Sequence, residues 1–303
     1  MTTADNIKSP PVELSVVVIA LNSGKLLGQC VSALATQERS FEMEIHVVSK
    51  TPEPEGFQRL AKPAVVCWHH VGPEQTVPIM RRTGIGQATA RIIALLEDDC
   101  MVAPQWMSSL LAAHNGGQRV VGGPVEAGDF KHARDWAVYY CEFGRFAEPF
   151  SGEVNALSGT NVSYRTEDLL PEQMQHGFID VFAHQTMRDS GHTLFAASEA
   201  LVINQNSWST RACSVAAFHH GRAYAAQRFE TGFSLKRLVY ALFSPLLPLL
   251  KTARTLQEIR TSKRRDLPVV KPLPWVIMFH LCWSAGEMTG YIAGPGRSIE
   301  QWR

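Results

Sequence analysis

The chain has 303 residues, enough for one large domain or two modest ones with an ample apolar core. Lys and Arg number 29 against 28 Asp and Glu, a net charge of +1, which excludes the strongly basic footprint of a nucleic-acid binder, so no nucleic acid is expected as a partner. Hydrophobic residues make up 45% and charged residues 19%, which excludes disorder and brings membrane contact within range.

Residues 1–12 are polar at first and carry Pro10 and Pro11, with neither a charged start nor an apolar stretch of the kind a secretory signal needs, so a cytoplasmic location is expected. Leu14 to Leu21 is almost continuously apolar, the pattern of a strand buried on both faces of a parallel sheet. Leu26, Leu27, Cys30, Val31 and Leu34 follow at helical spacing, with Ser23 placed as an N-cap. Glu44 to Ser49 and Ala64 to Trp68 read as strands, Val77 to Ala90 as a helix, and Ile92 to Leu96 as a strand ending in Glu97, Asp98 and Asp99. This alternation predicts an α/β sheet with right-handed crossovers.

Trp106 to His114 reads as a helix, Val120 and Val121 as a strand closed by a Gly-Gly-Pro turn, and Trp136 to Phe146 is ambiguous in period. Asn161 to Tyr164 reads as a short strand and Phe178 to Ser190 as a helix closed by Gly191. Beyond residue 233 the composition shifts. Leu238 to Leu250 is uncharged but broken by Pro245 and Pro248, and Leu273 to Ala293 is long enough to span a bilayer but contains His280 and Glu287. Between them Lys251, Arg254, Arg260, Lys263, Arg264, Arg265 and Lys271 outnumber Glu258 and Asp266. Apolar helices around a basic cluster suit the headgroup region of an anionic leaflet; core helices packed on the sheet, or a true span, are the alternatives.

Three consecutive carboxylates at the carboxyl end of an apolar strand need a cation or hydrogen-bond donors to ionise together, and a hard divalent metal, Mg or Mn, that also takes diphosphate oxygens is one such neutraliser. A solvated loop is the plainer alternative. Asn22 ends the first strand, where an amide suits a nucleotide, and Arg81 and Arg82 offer guanidinium groups suited to a diphosphate or, more simply, an exposed helix face. The paired histidines His69–His70 and His219–His220 do not face one site on a helix or strand and are not expected to bind metal.

With these residues in view the chain resembles the family-2 glycosyltransferases of GT-A fold, in particular membrane-associated bacterial members. The segments "LSVVVIALNSGKLLGQCVSAL", "VPIMRRTGIGQATARIIALLEDDCMVAPQWMSSLLAAH", "VGGPV", "LSGTNVSYRTEDL", "HGFIDVFAHQTMRDSGH" and "AFHHGRAYAAQRF" occur in the order the family uses. The resemblance implies a GT-A-like, Rossmann-type mixed but mostly parallel sheet over residues 13–232, with a flexible start at 1–12 and an apolar and basic helical extension at 233–303. It implies Glu97, Asp98 and Asp99 as the nucleotide and metal motif, with Asp98 at the ribose or metal and Asp99 as the direct ligand. Arg81 would face the diphosphate, Gly159 and Asn161 would lie close to the sugar, Asp180 would be the catalytic base, and His184 would contact acceptor or phosphate. Tyr164 and Trp208 have lesser claims, since aromatic residues at such places usually belong to the core.

The implied reaction is inverting, metal-dependent transfer from a nucleoside diphosphate sugar to a hydroxyl acceptor, lipid-linked or part of an envelope glycan, at the inner leaflet of the cell membrane. Two departures stand out. Ser49 and Lys50 occupy the place of an Asp that reads uracil, which weakens a UDP-sugar as the first expectation, and Asp180 stands where the family pattern has Glu. A binding or scaffold protein that has lost turnover, and a metal-dependent nucleotidyltransferase, are the competing readings.

Overall fold

The structure, a computed structural model, describes residues 12–21, 24–37, 42–59, 65–169, 174, 177–205, 208–228, 235–264 and 266–301. The first half alternates as expected: β1 (Val12–Ala20), α1 (Lys25–Ala35), β2 (Glu42–Ser49), β3 (Val65–His70), α2 (Val77–Gln87) and β4 (Ile92–Glu97). Then come β5 (Cys100–Val102), α3 (Trp106–Asn115), β6 (Val120–Gly122), β7 (Val125–Ala127), α4 (Ala133–Glu142), β8 (Gly152–Val154) and β9 (Asn161–Arg165). The remainder is α5 (Asp180–Asp189), β10 (Leu194–Ala196), β11 (Val202–Asn204), α6 (Thr210–Gln227), α7 (Leu235–Phe243), α8 (Leu247–Thr261) and α9 (Leu273–Ala293).

An eight-stranded sheet runs in the order β3-β2-β1-β4-β9-β6-β10-β8. The β3-β2-β1-β4 half is parallel, whereas β9 lies antiparallel between β4 and β6. A small second sheet, β5-β11-β7, sits beside it. Its three-residue strands pair with partners distant in sequence, so no local periodicity announces them.

Val16, Val17, Val18 and Ile19 of β1 are all fully buried, as a strand with both faces covered requires. On one face Val16, Val18 and Leu96 pack with Leu27 and Leu34 of α1 and Leu110 of α3. On the other, Val17, Ile19 and Leu95 pack with Met80 of α2 and Met187 of α5. Full burial stabilises each such aliphatic side chain by about 1.5–3 kcal/mol.

Two helix ends differ from the sequence expectation, each for a local reason. The helix expected to reach Ala90 stops at Gln87, because the Thr89 N–H and hydroxyl both donate to Glu44 Oε1 at 2.7 and 3.0 Å. The helix expected from Phe178 begins at Asp180, because the Phe178 N–H donates to the Pro78 carbonyl at 2.7 Å. The ambiguous stretch from Trp136 resolves as α4 and a short turn at Gly144–Phe146. The expected N-cap, Ser23, lies outside the described residues.

The helices beyond residue 233 pack on the preceding body. α4, α6 and α9 share a cluster holding Tyr139, Tyr140, Val276 and Phe279, and the Tyr140 hydroxyl donates to the Pro268 carbonyl at 2.7 Å. α9 lies so close to α6 that a Cβ at Gly286 would fall 2.0 Å from the Phe218 carbonyl oxygen, and one at Gly221 would fall 2.2 Å from that of Trp283. Glu287, buried here, accepts from Trp283 Nε1 at 2.5 Å and from the Tyr291 hydroxyl at 3.0 Å. Among the described residues no helix is long and apolar enough to cross a membrane. One side of α9 is therefore core, yet the outer side of this layer leaves Leu235, Leu242 and Leu249 more than 70% exposed.

Candidate active site

Two close approaches set the geometry. α2 presses on β1 at Gly84, where a Cβ would stand 2.3 Å from Val17 Cγ1, so only glycine lets the helix lie this near the sheet. One turn earlier Arg81 points across the carboxyl ends of the parallel strands, the place where open α/β sheets bind ligands. At Gly177, with φ of 95°, the chain turns against Pro78, which brings the first turn of α5 beside α2.

The buried Arg81 guanidinium then brackets three elements. Nη1 donates to Asp180 Oδ1 at 3.0 Å, and Nη2 donates to Glu97 Oε1 at 3.1 Å and to the Gly159 carbonyl at 3.2 Å. Its Nε, also buried, has no partner among the described residues. Gly159 must lack a side chain, since a Cβ there would lie 2.6 Å from Asp180 Cγ and 2.9 Å from Arg81 Nη2.

Electrostatics divide these carboxylates. Burial works to raise the pKa of Asp180, but the Arg81 charge beside it outweighs that and holds the carboxyl below its usual range, so it is ionised at neutral pH. Glu97 goes the other way: burial, with repulsion from Asp98 and Asp180, lifts it to about 7 in spite of Arg81. Asp99 rises to about 8 through burial and repulsion from Glu97 and Asp98.

The acidic turn is thus crowded and short of positive charge, which is the chemistry a hard divalent ion satisfies. Among the described residues no group of three His, Cys, Asp or Glu side chains is arranged to hold a metal. The donor set fits the mode in which one or two carboxylates share an ion with diphosphate oxygens and water, not an all-protein cage. Asp99, expected as a direct ligand, is 2% exposed with its carboxylate near Cys100 Sγ at 3.4 Å and hydrogen-bonded to Asn204.

Asp180, Arg81, Glu97, Gly159 and His184 converge on one cavity of about 520 Å³. It reaches from the sheet into the layer formed by α4, α6, α8 and α9, and Trp208 lines it with an indole N–H unpartnered among the described residues. Asp98 and Asp99 do not line it. Burial pushes His184 down to about 4, so it is neutral, and its Nε2 pairs with the Tyr164 hydroxyl at 2.7 Å.

Asn161, expected near the sugar, does not line this cavity. Its Oδ1 accepts from Trp106 Nε1 at 2.8 Å while its Nδ2 donates to the carbonyls of Pro124 and Ala200 at 3.0 and 2.8 Å, so the whole amide is used to join β9 to α3 and the neighbouring loops. Asn22 lies outside the described residues. Sequence reading also missed the lining from α8 and α9, notably Lys251 and Trp283, because the apolar character of those segments pointed outward to a membrane and not inward to a pocket.

The family model described as Glycosyl transferase family 2 matches residues 15–169. No curated protein matches the sequence. Among solved structures, the mannosyltransferase PcManGT from Pyrobaculum calidifontis, in complex with GDP-Man and Mn2+, is 14% identical with a TM-score of 0.57, covering 91% of this chain and 87% of that one. TarS 1-349 of S. aureus, in complex with UDP-GlcNAc, is 14% identical with a TM-score of 0.50, covering 92% and 91%. At these identities the likeness is one of fold. With the family model matched over half its length, the chain belongs to glycosyl transferase family 2 and has the GT-A arrangement of sheet and helices.

Proposed function

We propose that this chain transfers a sugar from a nucleoside diphosphate sugar to a hydroxyl group, with inversion at the anomeric carbon and Asp180 as the base. The observation that carries this reading is the Arg81 bracket, which fixes an ionised Asp180 at the wall of a cavity large enough for an acceptor. Asp180 takes the hydroxyl proton as the acceptor oxygen attacks the anomeric carbon, and the bond to the diphosphate oxygen breaks with its electron pair leaving on the diphosphate. The similar folds bind GDP-Man and UDP-GlcNAc, which supports a nucleotide sugar as donor.

Asp98 and Asp99 are the residues that would hold a divalent ion, Mg or Mn, whose chemistry when bound is to neutralise charge gathering on the leaving diphosphate. The Arg81 Nε, without a partner among the described residues, is a further donor at this end of the site. The acceptor meets the enzyme at a membrane surface: the apolar face carrying Leu235, Leu242 and Leu249, with the exposed cations Lys236, Arg260 and Lys271 on the same helical layer, lies on an anionic inner leaflet.

The test is release of nucleoside diphosphate from a panel of nucleotide sugars, UDP-sugars first, with and without manganese. Asp180→Asn is expected to lower turnover by about 10²- to 10⁴-fold while donor still binds. Undiminished turnover removes Asp180 from the role, and a wild type that releases nothing from any donor overturns the enzyme reading in favour of a binding protein.

A further inference from the structure

The cavity continues well beyond Asp180, and its far end is basic. Arg145, in the turn after α4, and Lys251 and Arg254, on α8, all act electrostatically on one half-buried carboxylate, Glu258. None of the three cations has a carboxylate within 4 Å among the described residues. Lys251 is the most enclosed: its Nζ stands 4.2 Å from the centroid of the Trp283 ring, and burial lowers its pKa even though Glu287, Cys141 and Glu142 oppose that. Arg145 links the two ends, for its charge is felt both at His184 and at Lys251.

Arg145 and Arg254 are exposed at the mouth and Lys251 is half-buried behind them; cations lining one end of a cavity repel one another, and an anion seated among them relieves that repulsion. Glu258 and Glu142 supply two negative charges against the three cations and leave an excess of one, so a phosphate group entering this end meets net positive charge. Glu142, exposed at the rim, is the other carboxylate lining this end. Two guanidinium groups and an ammonium match the donor geometry that phosphate oxygens accept.

We propose that the far end of the cavity is an acceptor subsite for a phosphate group held by Arg145, Lys251 and Arg254, so that the acceptor is a phosphorylated molecule whose hydroxyl reaches Asp180. This rests on the glycosyltransferase reading for the word acceptor, but not for the anion site. The phosphate can come from a lipid headgroup or from a water-soluble sugar phosphate, and the probes separate them.

The full chain is titrated calorimetrically, without any nucleotide sugar, with dihexanoyl phosphatidic acid, with glycerol 3-phosphate, and with neutral dihexanoyl glycerol. Phosphatidic acid or both phosphates should bind saturably, and the neutral lipid at least about tenfold more weakly. Binding of phosphatidic acid alone assigns a lipid source; equal binding of glycerol 3-phosphate assigns a soluble one. Arg145→Gln and Arg254→Gln should each weaken binding by about tenfold, and Glu258→Gln should tighten it, opposite signs that a merely structural role would not produce. Lys251→Met, close in shape, repeats the loss at the half-buried position. Equal binding of neutral and phosphorylated probes, no binding of any of the three, or affinities indifferent to these charges would overturn the subsite. Failure of the enzyme reading shows separately, as absent nucleoside diphosphate release by the wild type.

Discussion

β1 and α7 are both rich in aliphatic side chains, yet they end in opposite surroundings. Val16 to Ile19 are wholly enclosed between two helical layers, while Leu235 and Leu242 stand 72% and 74% exposed. Composition alone does not separate them; the number of covered faces does. A central strand of a parallel sheet has helices on both sides by its topology, whereas the outer helices of a third layer have one covered face and must find a second partner or leave the other in water.

That contrast can be broken most sharply by truncating one leucine in each region. Leu96→Ala, in β4 and 1% exposed, is expected to cost about 2–5 kcal/mol in denaturant unfolding, whereas Leu242→Ala should stay within about 0.5 kcal/mol. The same Leu242→Ala, combined with Leu249→Ala, should weaken sedimentation with anionic vesicles. Equal stability losses would mean that the α7 face is covered in solution, and unchanged sedimentation would mean that it does not meet lipid.

A smaller effect tests the join between the regions. Gly159→Ala forces its new methyl against the Asp180 carboxylate, so turnover should fall by about tenfold or more while the melting temperature shifts by only a few degrees. An active Gly159→Ala enzyme would show that the Arg81–Asp180 contact is not the working arrangement.

A last test reads the dryness of the sheet half by pH. Burial, only partly opposed by the Gln118 carbonyl, holds His114 at about 4 against 6.5 when unfolded. The unfolded chain therefore binds the extra proton first, so the full contribution is present above pH 6.5 and is lost as pH falls toward 4. The slope is about 1.4 kcal/mol per pH unit. His114→Gln should flatten that slope, seen by comparing unfolding midpoints of the two proteins at pH 7 and pH 5; parallel curves would contradict a neutral buried His114.

How much of this was legible in the sequence follows the same division. The β1 run, the α2 pattern and the acidic turn are local, and their periodicity or abruptness gave the sheet, the helix and the carboxyl-end site. Arg81 was a candidate by residue type, but Asp180 and Gly159 were visible only through family resemblance, because nothing near any one of the three in sequence signals the other two. The structural use of Asn161 was hidden for a related reason: an amide beside a site and an amide that fastens a strand look alike until its three hydrogen bonds are counted. The charged lining from α8 was hidden because Lys251 and Arg254 sit in a segment whose neighbours, Leu249 and Leu250, face outward.

The bracket on Asp180 spans 99 residues between its two partners, and Asp180 itself falls beyond residue 169, where the family match stops. As a chain is synthesised, the acidic turn is therefore complete before the proposed base, Asp180, has emerged. A nascent or truncated piece ending near that boundary would carry the family's signature and the guanidinium, yet would have no carboxylate to take the acceptor's proton. On the proposed role of Asp180, competence would depend on a contact of high sequence separation, the kind whose loop-closure cost slows folding.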